Sequence, residues 1–464
     1  DKPESSATQW SLMSYLARIN YSLYDRYLFS VNGRVDGSSR FGGNNKYGFF
    51  PSGSVAWRIS EEGFMEPVKA VINNLKLRTS YGFTGNTEIG VYESLATLGS
   101  NSWTIGNQLV SGFYPNRIPN PDLKWEKTGQ FDIGFDLGLF NNRLRLTADY
   151  YYKKTTDLLY NVAIPSASGY DSMLKNIGSV QNKGYELSIE SDNLSGAFSW
   201  TTAFNISFNR NKVLELGGET YKDVGTYDDH LKTSDIRRLI VGQPIGVFYG
   251  YRFDGIFQNE AECAQQTSSP SPIGVGLRRY KDLNGDGKID ATNDREILGD
   301  ANPKFFGGMT NTFAYKGFEL NVFLQYSYGN KIFNYNAMEL ESPTGGQNVY
   351  QDLVNRWTPT NPSNEYQKAT TNRNNIVSDR FIEDGSFLKL KTVSLSYSFP
   401  KLNWKHIGGL RLYVTGQNLL TWTKYRGYDP EVSYRGASTL EAGEDFGGYP
   451  QARTFMFGIK LDIK

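Results

Sequence analysis

The feature that most constrains this chain is a period of two. In its last eleven residues, Phe455, Phe457, Ile459, Leu461 and Ile463 fall on one face of an extended strand. Gly458, Lys460, Asp462 and Lys464 fall on the other, because strand side chains alternate. A single strand of this kind also suits the edge of a soluble sandwich. Here, however, the pattern recurs along the sequence. Tyr15, Ala17, Ile19 and Tyr21 alternate with Ser14, Arg18, Asn20 and Ser22, and Leu75, Leu77, Tyr81 and Phe83 with Lys76, Arg78 and Ser80. Phe131, Ile133, Phe135 and Leu137 oppose Asp132, Gly134 and Asp136, and Phe318, Leu320, Val322 and Leu324 oppose Glu319, Asn321 and Gln325. A tilted strand of about ten residues crosses a bilayer, whereas a membrane helix needs roughly 18 consecutive apolar residues, which this chain lacks. The repetition predicts an all-β fold, a transmembrane antiparallel β-barrel with a wet polar face.

Composition agrees. The chain of 464 residues is 14% aromatic, with 31 Tyr, 28 Phe and 48 Gly, yet its mean hydropathy is -0.50. Alternating lipid-facing and water-facing residues produce that combination. A net charge of +1 without basic clusters gives no reason to expect nucleic acid. One cysteine, Cys263, excludes an intrachain disulfide framework, and two histidines, His230 and His406, supply a His-based metal site or a Ser-His hydrolase only thinly.

Turn signals divide the strands: Tyr24-Asp25-Arg26, Asn141-Asn142, Ser195-Gly196 and Lys316-Gly317. Between Leu388/Leu390 and Val393/Leu395/Tyr397 the phase shifts by one, which predicts a β-bulge near Lys391-Thr392. Residues 61–74 carry helical spacing. Long polar loops run roughly over 38–49, 85–122, 156–181, 210–304, 329–380 and 424–450. Outer-membrane barrels have short periplasmic turns and long outer loops, so the C-terminus is expected in the periplasm. Residues 247–257 and 276–282 read either as spanning strands or as decoration on a long loop, giving about thirteen or fifteen strands. Both counts are odd, whereas single-chain bacterial barrels have even counts with both ends inside. The expectation is therefore that residues 1–464 form the C-terminal part of a longer barrel, with Asp1 on the outer side and the first strands absent from this chain.

Several stretches resemble one family. Phe50-Pro51-Ser52-Gly53-Ser54-Val55-Ala56-Trp57-Arg58, Leu75-Lys76-Leu77-Arg78-Thr79-Ser80-Tyr81-Gly82, Asn120-Pro121-Asp122-Leu123-Lys124-Trp125-Glu126 and Asn176-Ile177-Gly178-Ser179-Val180-Gln181-Asn182-Lys183-Gly184-Tyr185-Glu186 are similar to the SusC/RagA family of TonB-dependent outer-membrane transporters. Gly416-Gln417-Asn418-Leu419-Leu420 and Tyr425-Arg426-Gly427-Tyr428-Asp429-Pro430-Glu431 extend the resemblance. It implies a barrel of about 22 strands, an N-terminal plug and a TonB box, both outside this chain. It further implies work with TonB and a SusD-like surface lipoprotein, a glycan or peptide substrate, and a dimer of such transporter-lipoprotein pairs in a Gram-negative, Bacteroidetes-like outer membrane.

One motif suggests metal chemistry. Asp282, Asn284, Asp286, Gly287, Lys288 and Asp290 occupy the first nine positions of an EF-hand-type loop, Lys288 through its carbonyl. Position 12 should bring a carboxylate but is Asn293, with Asp294 one residue later. A Ca²⁺ ion there is the one cofactor the residues suggest, and the transport role itself requires none. The same residues also make a turn whose side chains cap their own backbone. Glu61, Glu62, Glu66 and Lys69 suit either a partner surface or a solvated helix, and Trp57, Trp125, Trp422 and Tyr425 either stack on sugars or form a membrane-interface girdle. Inward-facing Arg18, Arg34, Arg78, Arg143, Arg145, Asp132, Asp136 and Glu319 suit substrate contacts or internal ion-pair networks. No nucleophile or acid-base set is evident, so energy-driven import is the leading expectation, ahead of a passive porin and a barrel hydrolase.

Overall fold

The computed structural model describes residues 5, 7–164, 168, 170, 172–225, 236–342, 348–370, 375–399, 406–436 and 438–463. His230 and Asp1 lie outside them. The chain divides into two compact units, Asp1–Leu187 with Asn211–Thr220, and Ser188–Arg210 with Tyr221–Lys464.

In the first unit, four antiparallel strands follow one another: β1 (Leu12–Leu23), β2 (Tyr27–Ser38), β3 (Tyr47–Arg58) and β4 (Ile72–Asn86). Then come β5 (Glu126–Leu139), β6 (Leu144–Thr156) and the first half of β7 (Ser179–Leu194). Residues with positive φ make the turns, Tyr24 and Asp25 between β1 and β2 and Phe140 to Asn142 between β5 and β6. The apolar face that the alternation predicts is the exposed one: Ile19 is 71% and Val31 61% exposed. An apolar sheet face left in the open fits lipid and not water. Where helical spacing predicts one helix over 61–74, the chain instead makes two 3₁₀ turns, Ile59–Glu61 and Gly63–Val68, and enters β4 at Ile72. Pro67 and Gly63 are the reason, since one lacks an N–H and the other weakens a helix.

In the second unit the other half of β7 is followed by β8 (Phe198–Glu215, as far as Arg210), β9 (Phe305–Tyr315), β10 (Phe318–Tyr328), β11 (Phe387–Ser398), β12 (Ile407–Thr423) and β13 (Thr454–Ile463), in sheet order. Lys316 and Gly317 turn β9 into β10 with positive φ. The predicted bulge is present: Leu390 and Thr392 pair with consecutive residues of β10, Leu324 and Phe323, so Lys391 is the extra residue. β13 pairs antiparallel with β12, Phe457 facing Val414 and Leu461 facing Leu410.

Among the described residues the main sheet thus contains thirteen strands. Val247–Tyr251 lies in a separate four-stranded sheet with Arg237–Ile240 and Arg295–Asp300, and Phe253–Ile256 pairs with Arg278–Tyr280. These strands have at most six residues, short of the roughly 9–11 that cross a bilayer. They are decoration. No helix among the described residues is long and apolar enough to cross a membrane.

Candidate transport surface

The polar face of the first unit is an ion-paired lattice. Lys76, Arg78 and Ser80 share a face of β4 because they are two residues apart, and they stand opposite Asp136, Gly134 and Asp132 of β5. The Arg78 guanidinium lies 2.7 Å from Asp149, 3.5 Å from Asp136 and 3.7 Å from Asp132. Lys76 Nζ donates to Asp136 at 3.2 Å, as does Thr147 Oγ1. Gly134 makes this possible, since a Cβ there would sit 2.1 Å from Asp149 Oδ1. A depression of about 560 Å³ adjoins the lattice, bounded by Arg18, Asn20, Ser30, Ser54, Arg78 and Asp132. Of the inward residues singled out in the sequence, Arg78, Asp132 and Asp136 come together and Arg18 lines the same depression. Arg34 instead pairs with Asp36 at 2.7 Å, and Glu319 with Arg411 at 2.7 Å. Arg145 donates to the carbonyl of Asn142 at the β5-β6 turn.

The long connections of the second unit are not loose. Ile236, Phe248, Phe333, Tyr335, Met338 and Phe381 form a core of their own. Buried ion pairs surround it. Arg237 and Glu444 meet at 2.9 Å with side chains 0% and 2% exposed. Burial holds Arg237 below and Glu444 above its ordinary pKa, with mutual attraction opposing both shifts. Glu341 binds Arg380 at 2.7 Å and Arg426 at 3.2 Å, and Arg426 reaches Glu383 at 2.9 Å. Burial would lower the Arg426 pKa, but these two carboxylates keep it above its ordinary value. Tyr280, fully enclosed, is pushed up to about 12 by burial.

A segment after β12 folds onto the polar face of β10 and β11. Lys389 Nζ donates to Asp429 and to Glu431 at 2.6 Å, Lys391 Nζ to Glu431 at 2.8 Å, and Gln325 to Glu431 at 2.9 Å. Sequence reasoning placed Asp429-Pro430-Glu431 in a motif without giving it a contact. The signal was the pair of lysines at the phase shift, Lys389 and the inserted Lys391.

In the candidate metal loop the oxygens face the backbone. Asp282 accepts N–H groups from Gly285 at 2.6 Å and Gly287 at 2.7 Å, which hold its carboxyl below the ordinary value. Asn284 accepts from Asp286, Asp286 from Lys288, and Asp290 from Thr292 and Asn293. Asp294, 0% exposed, accepts from Leu283 and Asp290 at 2.8 Å, one bond to each carboxylate oxygen. Among the described residues no group of three or more His, Cys, Asp or Glu side chains is arranged to hold a metal ion.

Two of the four aromatic candidates are enclosed. Trp125 packs with Phe41, Phe50 and Leu123, and Tyr425 donates to Asp445 at 2.5 Å, so neither can stack on a sugar. Trp57 Nε1 donates to Glu62 at 3.0 Å, and Tyr27 donates to the same carboxylate at 2.6 Å. Glu62 is thus occupied within the chain. Trp422 is 51% exposed. His406 is exposed.

Residues 1–262 match the family described as TonB dependent receptor-like, beta-barrel. The chain is 41% identical, over 99% of its length and 46% of the relative's, to TonB-dependent receptor P3 of Formosa agariphila. It is 32% identical to TonB-dependent receptor SusC of Bacteroides thetaiotaomicron, over 98% of this chain and 44% of that one. Among solved structures it resembles that of the RagAB peptide transporter, with a TM-score of 0.81 and 28% identity over 97% of this chain and 48% of that one. The chain therefore spans about half the length of the relatives it matches. These relatives are receptors and transporters, not enzymes. With its sequential antiparallel strands, exposed apolar face and ion-paired polar face, the chain belongs to the TonB-dependent receptor-like β-barrel family of the Gram-negative outer membrane.

Proposed function

We propose that this chain forms wall and surface loops of an importer that takes a bulky nutrient, an oligosaccharide or a peptide, across the outer membrane. In this reading TonB supplies energy through a plug and TonB box outside the chain, and a SusD-like lipoprotein caps the surface loops. Two such pairs associate as a dimer. The end of β13 faces the periplasm, and the long connections face the cell exterior. The observation that carries the proposal is the two-faced sheet. Its apolar side is exposed, and its polar side is lined with ion pairs such as Arg78–Asp149, the division expected of a wall between lipid and an aqueous passage. The names TonB-dependent receptor SusC and RagAB peptide transporter support the coupling to TonB and the peptide class.

The test is uptake by intact cells carrying or lacking the whole gene, with labelled oligosaccharides and peptides, before and after a protonophore. Gene-dependent uptake that collapses with the protonophore is expected. Uptake indifferent to it would make the protein a passive porin, and substrate cleavage by the purified protein would make it a hydrolase.

A further inference from the structure

The connection between β4 and β5 contains a hairpin of its own, Thr97–Ile105 paired with Gln108–Arg117. It turns through Gly106 and Asn107, both with positive φ. Trp103 pairs with Val110, Asn101 with Gly112 and Gly99 with Tyr114. Alternation therefore sets Gly99, Asn101, Trp103, Ile105, Gln108, Val110, Gly112 and Tyr114 on one face.

On that face two aromatic rings lie over glycines. A Cβ at Gly112 would be 2.7 Å from Trp103 Cδ1, and one at Gly99 would be 2.6 Å from Tyr114 Cζ. Each ring thus rests against bare backbone of the neighbouring strand. The remaining surface is open, for Trp103 is 58% and Tyr114 44% exposed. From strand rise and strand spacing, the two glycines that carry the rings are about 8 Å apart on a diagonal. A linear chain of sugars can touch both rings at once, and a monosaccharide cannot.

The surrounding chemistry selects the ligand. Residues 97–116 contain no Asp, Glu, Lys or Arg, and the amides of Asn101 and Gln108 share the face with the rings. The Asn101 side-chain carbonyl accepts the Ser102 N–H at 2.9 Å, which fixes its amide beside the rings. An aromatic face is electronegative and attracts the C–H groups of a pyranose, while amides pair with its hydroxyls. Arg117, which ends the second strand, is paired with Glu93 at 3.1 Å, so a charged ligand finds no free counter-ion here.

We propose that Trp103 and Tyr114 form a platform that binds an uncharged oligosaccharide at the cell surface. The inference deepens the import reading and rests on it only for the side of the membrane on which the hairpin stands. It narrows the substrate class from oligosaccharide or peptide to neutral glycan.

The experiment is titration of the purified full-length transporter in detergent with malto-, cello-, laminari- and xylohexaose. Oligogalacturonate and a casein peptide digest are run in parallel, with tryptophan fluorescence and calorimetry as readouts. At least one neutral hexaose is expected to bind and to perturb tryptophan emission. The double variant Trp103→Ala/Tyr114→Ala should weaken that binding by about tenfold or more while leaving the thermal transition in place, because both side chains are exposed. Gly112→Val, which displaces the Trp103 ring but keeps it, should weaken binding as well. Failure of every neutral hexaose to bind would overturn the platform, as would equal binding by the double variant or exclusive binding of the peptides or the uronate. Uptake separates the two readings: gene-dependent uptake with an inert hairpin leaves import standing, whereas glycan binding by a protein whose deletion changes no uptake would sink import and keep the platform.

Discussion

Lys389 and Asp429 meet at 2.6 Å, and neither is accessible: Lys389 is 2% and Asp429 6% exposed. One belongs to a strand of the main sheet and the other to the connection that follows β12. The same ammonium also donates to Glu431 at 2.6 Å, and Asp429 in turn accepts the backbone N–H of Glu431 at 2.8 Å. The pair therefore fixes the connection to the polar face of β11. Replacing Lys389 with Met leaves a buried carboxylate without a counter-ion, which costs about 3–5 kcal/mol. The expected outcome is an intact sheet with a released connection. In the Lys389→Met variant trypsin should cut at Lys424, Arg426 or Arg435 under conditions that leave the wild type whole, while the heat-modifiable gel mobility of the barrel persists.

The same anchor should respond to acid. Burial alone would raise the Glu431 pKa, but the ammonium groups of Lys389 and Lys391 hold it below the ordinary 4.5. A carboxylate with a depressed folded pKa contributes its stabilisation in full above its unfolded value and loses it as the pH falls through the folded one. Trypsin is unsuited to that range, so the opening equilibrium of residues 424–436, from hydrogen-exchange rates corrected for their intrinsic pH dependence, should be flat from pH 7 to about pH 5 and rise below about pH 4. A rise that begins near neutrality would assign the anchor to other groups.

The parts of this fold that were legible in the sequence are those that repeat a local rule. Period-two alternation marks the main-sheet strands, and one lost beat marks Lys391 as an inserted residue. The core of the long connections was not legible. Phe248, Phe333 and Phe381 meet there, but they come from separate segments, and no periodicity links them. Arg237 finds Glu444 across 207 residues for the same reason. Residues 61–74 show the opposite failure, for helical spacing is present, yet Gly63 and Pro67 outweigh it. Trp103 and Tyr114 were hidden because a loop rich in Gly, Ser and Asn gives little sign that it will form a hairpin.

Arg237 and Glu444 illustrate a buried pair whose desolvation outweighs its attraction, since each is displaced toward its uncharged form. Its role is then to fix geometry, because Arg237 also donates to the carbonyls of Gly246 and Ala442. Glu444→Gln should destabilise the connections by about 3–5 kcal/mol, as an unpaired guanidinium remains inside. Arg237→Met/Glu444→Leu should cost less than the sum of the two single changes, the coupling being the measured quantity. Hydrogen exchange of residues 236–300 is the readout. Strict additivity would show that the two side chains act independently.

The side chains of the Asp282 loop cap their own backbone, the reading that the sequence offered beside a Ca²⁺ site. Asp294 stands where a further ligand would be needed, but its two oxygens each hold a backbone N–H at 2.8 Å, from Leu283 and Asp290. Asp294→Asn retains only one acceptor oxygen, so one N–H loses its partner, at about 1–3 kcal/mol. Melting of the purified protein should be unchanged by EDTA and lowered by Asp294→Asn. Terbium should show no stoichiometric luminescence at the loop. A melting temperature that falls with the chelator and recovers on adding calcium would instead make Asp282, Asn284, Asp286, Asp290 and the Lys288 carbonyl the ligands of a resident ion.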